Sequence, residues 1–579
     1  MEPKYRFILT AVVAAVVILG ILSFHKEEPQ LQKTVLTFKS YPQNVAFCGK
    51  SVIKPNTETD IPAMKGWGHY SFKITTKSDS AQYFFNQGLS YYYSFHAYEA
   101  YASFSKAAKI DTTNAMAWYG QALAMGPNIN YGNDYRGQSA AGEAAIRSSL
   151  LQAGVSPIEH ALISAMQVRY STDTTISVSK LRMRYALAME QVYKEFPQDP
   201  DVITLYADAL LLLHPWDLYD HAMKPKAWTP QIRSLLEKAM LISPKHPGAN
   251  HYYIHVLEAS AHPELALKSA TLLDTLMPSV AHITHMPSHI YIRTGDYSKG
   301  IITNDLAVNG FNKSIKAFSP IAGGSGLYRD HNLHLKENCA QMGGSYKIAD
   351  EAAREVKGSV GKADMQVKSS IGNFYQYLYM QPMLTDVRFG KWDKILASEK
   401  IDSLAYASVL SHFARGLAFC GKGNLIAGRS ELKALEERLK DKALKYPMDN
   451  FSTAYETSCV ADLILKGMIV AAEGKYGASI NILRQAVIAE DKIIYNEPRD
   501  WPLPARQYLG TVLIKVKKYN MAIEVLKSDL NINPYNGWAL TGLKTIYEQT
   551  NNKPELLKTK SKLVDAWKIR DVEINAPVF

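Results

Sequence analysis

A 34-residue spacing constrains the fold of this 579-residue chain more than any other feature of its sequence. Phe84 and Gly88 are followed 34 residues later by Trp118 and Ala122. Segments of this length hold one pair of antiparallel helices, and such a pair cannot bury its apolar face alone. Successive pairs must stack on one another to form a continuous core. The chain is therefore predicted to be an array of stacked helix pairs.

Small and aromatic residues stand where the two helices of the first pair should meet. Gly88 and Ala100 allow close approach of the helices, while Tyr91 and Phe104 fill the space between them. A similar arrangement returns near the C-terminal end, over residues 509–542. No alternation of Val, Ile and Thr bounded by turns occurs in the sequence, so we expect almost no β-sheet.

These signatures resemble those of the tetratricopeptide repeat family. The resemblance implies an all-α solenoid in which the first helices of successive repeats line a concave groove. Such grooves usually hold protein or peptide segments, so a protein or peptide partner is one expectation of the resemblance. It does not imply a reaction, because a fold alone does not define a function.

A narrower resemblance covers most of the chain after about residue 67. The segments HPGANHYYIH at 246–255 and HMPSHIYIR at 285–293 are similar to those of a group of bacterial tetratricopeptide proteins of unsettled function. This resemblance assigns no catalytic role to any residue.

The N-terminal segment has the pattern of a targeting sequence. Residues 7–24 are eighteen uncharged residues that follow Lys4 and Arg6. They fit a single transmembrane anchor or a cleaved signal peptide, and the lack of a clear cleavage site favours the anchor. The positive residues place the N-terminus in the cytoplasm. We expect a bacterial envelope protein, with the solenoid anchored outside the cytoplasm, or secreted if the signal is cleaved.

Composition shifts along the chain suggest five regions. They are the anchor or signal at 1–24, a linker and irregular lead-in segment at 25–80, an N-terminal repeat region at 81–241, a central histidine-rich region at 242–360, and a C-terminal repeat region at 361–579. The net charge of +11 comes from scattered Lys and Arg with no basic run, so no nucleic-acid partner is expected. Cys420 and Cys459 fit either a disulfide or two free thiols.

Histidine is concentrated in the central region. Residues 251–334 contain eight of the sixteen histidines, where an even distribution would give about two. Pairs such as His251 with His255, and His285 with His289, are four residues apart, which places both rings on one face of a helix. Pro287 lies between the second pair, and it either bends the helix or begins a shorter one.

The repeat frame predicts that these side chains share one concave pocket. The predicted metal ligands are His251, His255, Glu258, His282, His285, His289, His331 and His334. Imidazoles with one carboxylate suit Zn, Cu, Fe or Ni rather than Ca or Mg. Two other interpretations remain open, a pocket for a polar or anionic molecule or peptide, and histidines with a structural role only.

No P-loop, GxSxG or HExxH motif is present, so the sequence identifies no catalytic residue. A charged and aromatic connection at 497–506 is interpreted as an ordered turn or as a second binding site. The predicted function is an exported, membrane-anchored solenoid whose histidine groove binds a transition metal, as a structural or a catalytic centre. The alternative is a non-enzymatic scaffold that binds a peptide or a small polar ligand.

Overall fold

The computed structural model describes residues 61–130, 139–173, 175–317, 326–448 and 451–579. The predicted anchor at 7–24 lies outside these residues, as does Cys48. Within these five ranges, no helix is both long and apolar enough to cross a membrane. The three cysteines of the described chain, Cys339, Cys420 and Cys459, are free thiols.

The N-terminal third is a succession of helices that begins after an irregular lead-in at 61–78. Its helices are α1 Asp79–Tyr92, α2 Ala97–Ile110, α3 Ala115–Ala124, α4 Ser139–Leu150, α5 Pro157–Met166, α6 Val178–Glu195, α7 Pro200–Leu213 and α8 Thr229–Ile242. Neighbouring helices pack as pairs, α1 with α2 and α3 with α4. Apolar lead-in residues such as Ile61 and Trp67 are buried in the same core.

The central region carries the histidines. Its helices are α9 Pro247–Leu257, a 3-10 turn Pro263–Ala266, α10 Leu267–Leu276, α11 Ala281–His285, α12 Pro287–Thr294, α13 Tyr297–Ala317, α14 Gly326–Gly343 and α15 Tyr346–Ser359. In this region α13 packs on α14 and α14 on α15. The central histidines are thus carried by four helices, α9, α11, α12 and α14.

The C-terminal region continues the helical array to the end of the chain. Its helices are α16 Lys362–Met365, α17 Ser370–Tyr379, α18 Gln381–Arg388, α19 Trp392–Ala397, α20 Ala405–Gly421, α21 Leu425–Arg438, a 3-10 turn Lys442–Lys445, α22 Ala454–Ala472, α23 Tyr476–Glu490, α24 Ala505–Lys515, α25 Tyr519–Ile532, α26 Gly537–Gln549 and α27 Lys553–Ala566. The described residues contain no β-strand, only two isolated β-bridges. The prediction of an all-α solenoid of helix pairs is confirmed.

Glycines lie at the seams that the repeat pattern predicted. A Cβ atom on Gly88 would lie 2.8 Å from the ring of Phe104, and Gly120 faces the same ring from the next helix. At the other end, a Cβ on Gly510 would lie 2.7 Å from the side chain of Leu526. These contacts show why a small residue is required opposite a bulky one in each pair.

The C-terminal helices pack back onto the central helices. Trp538 Nε1 donates a hydrogen bond of 2.9 Å to the carbonyl of Gln341, and the Tyr297 hydroxyl donates one of 2.8 Å to the carbonyl of Pro534. The carboxylate of Asp571 accepts backbone N–H groups from the first turn of α15. The C-terminal part of the solenoid therefore covers the central repeats, where the repeat pattern alone predicted an open concave groove.

Candidate metal centre

Helix α9 presents the first two histidines of the site. Pro247 occupies its first turn, where a missing N–H costs nothing, and His246 Nδ1 caps the helix by accepting the N–H of Ala249 at 3.1 Å. His251 and His255 lie one turn apart on the same face. Their Nε2 atoms are 3.1 Å apart.

Helix α12 begins at Pro287, which is one of the two alternatives that the sequence left open. Helix α11 is a single turn, so His282 and His285 lie on helical backbone rather than in a loop. Met286, between the two helices, also has helical backbone angles. His285 and His289 face each other across this junction, with 2.7 Å between their Nε2 atoms.

The first triad consists of His251, His255 and His282. The Nε2 atom of His282 lies 3.2 Å from that of His251, and ligand atoms of all three residues lie within 4.8 Å of one another. Two nitrogens bound at ~2.0–2.1 Å to one tetrahedral metal ion are about 3.3 Å apart. The spacing of the first triad therefore fits three ligands of a single metal ion.

The second triad consists of His285, His289 and His331. His331 belongs to α14, and its Nε2 atom lies 3.5 Å from that of His289. Ligand atoms of these three residues also lie within 4.8 Å of one another. The first triad thus combines residues from two helices, α9 and α11, and the second combines residues from three, α11, α12 and α14.

The two triads lie side by side and are shielded from solvent. Ring centroids of His282 and His285 are 6.0 Å apart, and those of His255 and His289 are 6.2 Å apart. The six histidines are between 0 and 9% exposed. Because buried polar groups are usually hydrogen-bonded, the partners of the second nitrogen in each ring decide how that ring is oriented.

Oxygen acceptors hold the Nδ1 atoms of several of these rings. His251 Nδ1 donates to the carbonyl of Tyr93 at 2.6 Å, and His285 Nδ1 donates to Asn304 Oδ1 at 2.6 Å. The amide nitrogen of Asn304 donates to the carbonyl of Gly300 at 2.7 Å, which orients its oxygen toward the ring. A proton on Nδ1 leaves the Nε2 lone pair free, as in histidines that bind metals.

Glu258 connects the two triads. Its Oε1 accepts the Nδ1–H of His255 at 2.8 Å. His289 Nδ1 lies 2.8 Å from Oε2, although its N–H direction falls outside hydrogen-bond geometry. The Tyr495 hydroxyl donates to the same Oε2 at 2.7 Å. One carboxylate therefore contacts one ring of each triad and orients the ring of His255 through a hydrogen bond, as carboxylates do around metal-binding histidines.

Glu497 brings a second carboxylate to the site. Its Oε1 lies 3.3 Å from His255 Nδ1, and its Oε2 lies 3.6 Å from His331 Nε2. The connection at 497–506 was interpreted from sequence as a turn or as a separate site. Its first residue instead belongs to the histidine site, although it lies far along the chain from the histidines that it contacts.

Burial sets the protonation of most of these rings. Removal from water, together with the neighbouring imidazoles, holds four pKa values well below the usual histidine value. These four residues are His251, His282, His285 and His331. They are therefore neutral imidazoles, the form that binds a metal ion.

His255 and His289 differ because they contact the carboxylates. Burial acts to lower the pKa of His255, but Glu258 and Glu497 outweigh it and raise the value to about 9. The pKa of His289 is raised in the same way. The carboxylates thus favour the protonated form of both rings, in which Nε2–H of His255 can donate to His251 and Nε2–H of His289 can donate to His285. A metal ion bound between such a pair would take the place of that proton.

His334 lies apart from the two triads. Its ring packs edge-on against Tyr377, with 5.3 Å between ring centroids, and its Nε2 atom has no hydrogen-bond partner. Burial lowers its pKa to about 3. The structure therefore brings together six of the seven predicted histidines and Glu258, and leaves His334 outside.

Two aromatic residues pack against the first triad. The ring centroid of Phe95 lies 4.5 Å from that of His251, and Trp216 packs edge-on against His255 at 5.5 Å. Both have a φ of 57°, a backbone region that is unfavourable for bulky side chains. Surrounding packing must hold them there, and such strain is concentrated at functional sites.

Several residues that build this site were not predicted from the sequence. They are Tyr93, Phe95, Trp216, Asn304, Tyr495 and Glu497. Tyr93 belongs to a run of three tyrosines and Trp216 to the segment HPWDLYD at 214–220, so both segments stood out. Neither the repeat frame nor local spacing places them beside the histidines.

No family model matches the chain, and no curated protein matches its sequence. Among solved structures, a human IFIT1 dimer with m7Gppp-AAAA is 13% identical, covering 85% of this chain and 91% of that chain, with a TM-score of 0.28. The APC/C hetero-tetramer Cut9-Hcn1 is 12% identical, with coverages of 86% and 88% and a TM-score of 0.28. Yeast Tom70 is 9% identical, with coverages of 84% and 93% and a TM-score of 0.24. Scores this low carry no conclusion about fold or function.

Proposed function

We propose that the protein binds two transition-metal ions, one in each histidine triad. The observation that carries this proposal is the convergence of Nε2 atoms in each triad, while the Nδ1 atoms of His251, His255 and His285 donate to oxygen acceptors. In the first triad, for example, His251 and His255 both direct Nε2 inward and Nδ1 to an oxygen. This is the arrangement in which imidazole binds a metal, with an oriented ring and a free lone pair.

The ligand set favours zinc, copper or iron. Imidazole nitrogens suit these ions, whereas Ca and Mg require oxygen ligands. Three protein ligands leave a coordination position open, as in catalytic rather than structural zinc sites. An ion with an open position can activate water or polarise a bound substrate. We therefore propose a metalloenzyme centre, with Glu258 and Glu497 balancing part of the charge of the two ions.

A peptide-binding scaffold is supported less well by the same residues. The histidine rings are buried, so a peptide on the solenoid surface would not contact them. Glu258, which contacts two of these rings, is fully buried with them. We therefore assign the histidines to metal binding.

Metal analysis of protein purified without a histidine tag tests the proposal. After loading with zinc and removal of free metal, we expect two ions per chain. His282→Ala and His331→Ala should each retain about one, and both residues are suitable because neither contacts Glu258. His262→Ala is the matched control, because His262 is exposed and should not change the count.

Circular dichroism must show unchanged helix content in all three variants. Wild-type protein that takes up no metal would refute the proposal. So would triad variants that bind as much zinc as the control.

A further inference from the structure

A cavity of about 510 Å³ adjoins the first triad. It reaches His255 and is lined by residues 216–223, by residues 490–501 and by the end of α25. Its volume suits a small organic molecule. The cavity therefore offers room for a ligand directly beside the proposed metal centre.

Arg499 lines this cavity without an acidic partner. No ion pair of the described residues includes it, and its Nε atom is buried without a hydrogen-bond partner. Arg293 lines the same cavity, and its Nε and Nη2 atoms donate to the carbonyls of Glu258 and Ser260, at 3.1 and 3.0 Å, rather than to a carboxylate. Two guanidinium groups therefore line one cavity, and no ion pair in the described part of the chain joins either to a carboxylate.

Both guanidinium groups line the same cavity, so two like charges border one enclosed space. A bound anion would neutralise part of this charge. Planar guanidinium groups bind carboxylates and phosphates through paired hydrogen bonds. Arg499 is the stronger candidate for such bonds, because fewer of its donors are hydrogen-bonded within the protein than those of Arg293.

Most acidic residues of the cavity are already engaged by other groups. These contacts are Asp491 with Arg506, Asp529 with Gln507, Glu490 with the N–H of Ala505, and Asp220 with the N–H groups of Ala222 and Lys224. Asp500 accepts from Asn496 through one oxygen, and its other oxygen has no partner. None of these carboxylates forms an ion pair with Arg499.

We infer that the cavity binds a small organic anion whose carboxylate or phosphate contacts the Arg499 guanidinium. Trp216, Ile494 and Ile532 line the same cavity and offer apolar surface to the rest of the molecule. Such a ligand would lie next to His255 and thus reach the metal centre as a substrate. Its role as a substrate rests on the proposed function, but its binding does not require a metal ion.

Isothermal titration calorimetry of metal-free and zinc-loaded protein tests the inference. Benzoate and phenyl phosphate are the probes, and benzyl alcohol is the neutral control. We expect at least one of the two anions to bind and the alcohol to bind at least tenfold more weakly. Tighter binding of benzoate identifies a carboxylate ligand, and tighter binding of phenyl phosphate identifies a phosphate ester.

Arg499→Gln should weaken binding of the preferred anion at least tenfold, and Arg499→Lys should weaken it less. Arg184→Gln, at an exposed position, removes the same charge and should leave binding unchanged. Thermal unfolding of each variant verifies the fold. Equal binding by wild type and Arg499→Gln, equal binding of the alcohol, or binding of neither anion overturns the inference. Failure of zinc uptake with intact anion binding overturns only the metal proposal.

Discussion

Glu258 is the residue on which both triads depend. Its carboxylate contacts one histidine of each triad and also accepts the hydroxyl of Tyr495. Burial favours its neutral form, but the neighbouring histidines lower its pKa well below the usual range. Glu258 is therefore an anion that orients the rings rather than one that transfers a proton.

Replacement of this carboxylate tests its orienting role. Glu258→Gln should weaken zinc binding ~10–100-fold, because partners of this kind contribute that much to metal affinity. Competition against a chelating dye would measure the change. Glu264→Gln, at a position with an exposed side chain, is the control and should keep wild-type affinity. Unchanged affinity in Glu258→Gln would show that the carboxylate does not orient the ligands.

Glu337 should make stability depend on pH. Burial raises its pKa from 4.5 to about 8, while Thr385 and Gln341 donate to its Oε1. The folded state then holds a proton that the unfolded state releases above pH 4.5. This stabilisation is fully present below pH 4.5, falls as the pH rises, and is lost above about pH 8.

Glu337→Gln removes this titration. Between about pH 5 and pH 8, the wild type should lose more free energy of unfolding than the variant. The two losses should differ by at least about 1 kcal/mol. Urea denaturation at the two pH values measures the difference. Equal losses in both proteins would show that Glu337 does not hold the proton.

At the residue scale, local spacing predicted which histidines share a face, because helix geometry fixes that relation. It could not predict Glu497 or Tyr495, since Tyr495 and Glu258 are 237 residues apart in sequence. It also could not separate His334 from His331. Both belong to α14, and only the neighbours of each ring determine which one reaches the second triad.

At the element scale, the seams between paired helices depend on glycine. Gly88→Ala would place a Cβ 2.8 Å from the Phe104 ring and should destabilise the protein by roughly 1–3 kcal/mol. Gly477→Ala is the matched control, in a helix where nothing lies within 4 Å of the added atom. That change should be neutral or stabilising by up to about 1 kcal/mol.

Denaturant unfolding would measure both changes. Equal stability of the two variants would contradict the packing described for the first pair.

This seam was predictable because a small residue opposite an aromatic one, at the spacing of a repeat, is typical of two helices in close contact. The effect of Pro287 stayed open, because a proline in this position either bends a helix or begins one.

At the scale of the whole molecule, the centre joins distant parts of the chain. Tyr93 belongs to the first helix pair, the histidines to the central region, and Tyr495 and Glu497 to the connection between α23 and α24. The repeat pattern predicted the stacked helices, since each pair contacts its neighbours. It could not predict how far the array curls, because small rotations between repeats accumulate along the chain.

Metal binding should therefore stabilise all of these parts together. A ligand at about 100 times its dissociation constant stabilises the native state by about 2.7 kcal/mol. We expect zinc to slow hydrogen exchange in peptides covering 91–96, 251–289 and 493–499. Peptides from the middle of α22 should change least. Protection confined to 251–289 would contradict a centre assembled from distant segments.

The central claim is that each triad holds one metal ion, and anomalous diffraction from zinc-loaded crystals tests it most directly. We predict two peaks in the anomalous difference map at the zinc absorption edge. One should lie among the Nε2 atoms of His251, His255 and His282, and the other among those of His285, His289 and His331. A map with no peak at these positions, or with zinc only at surface residues, would contradict the account.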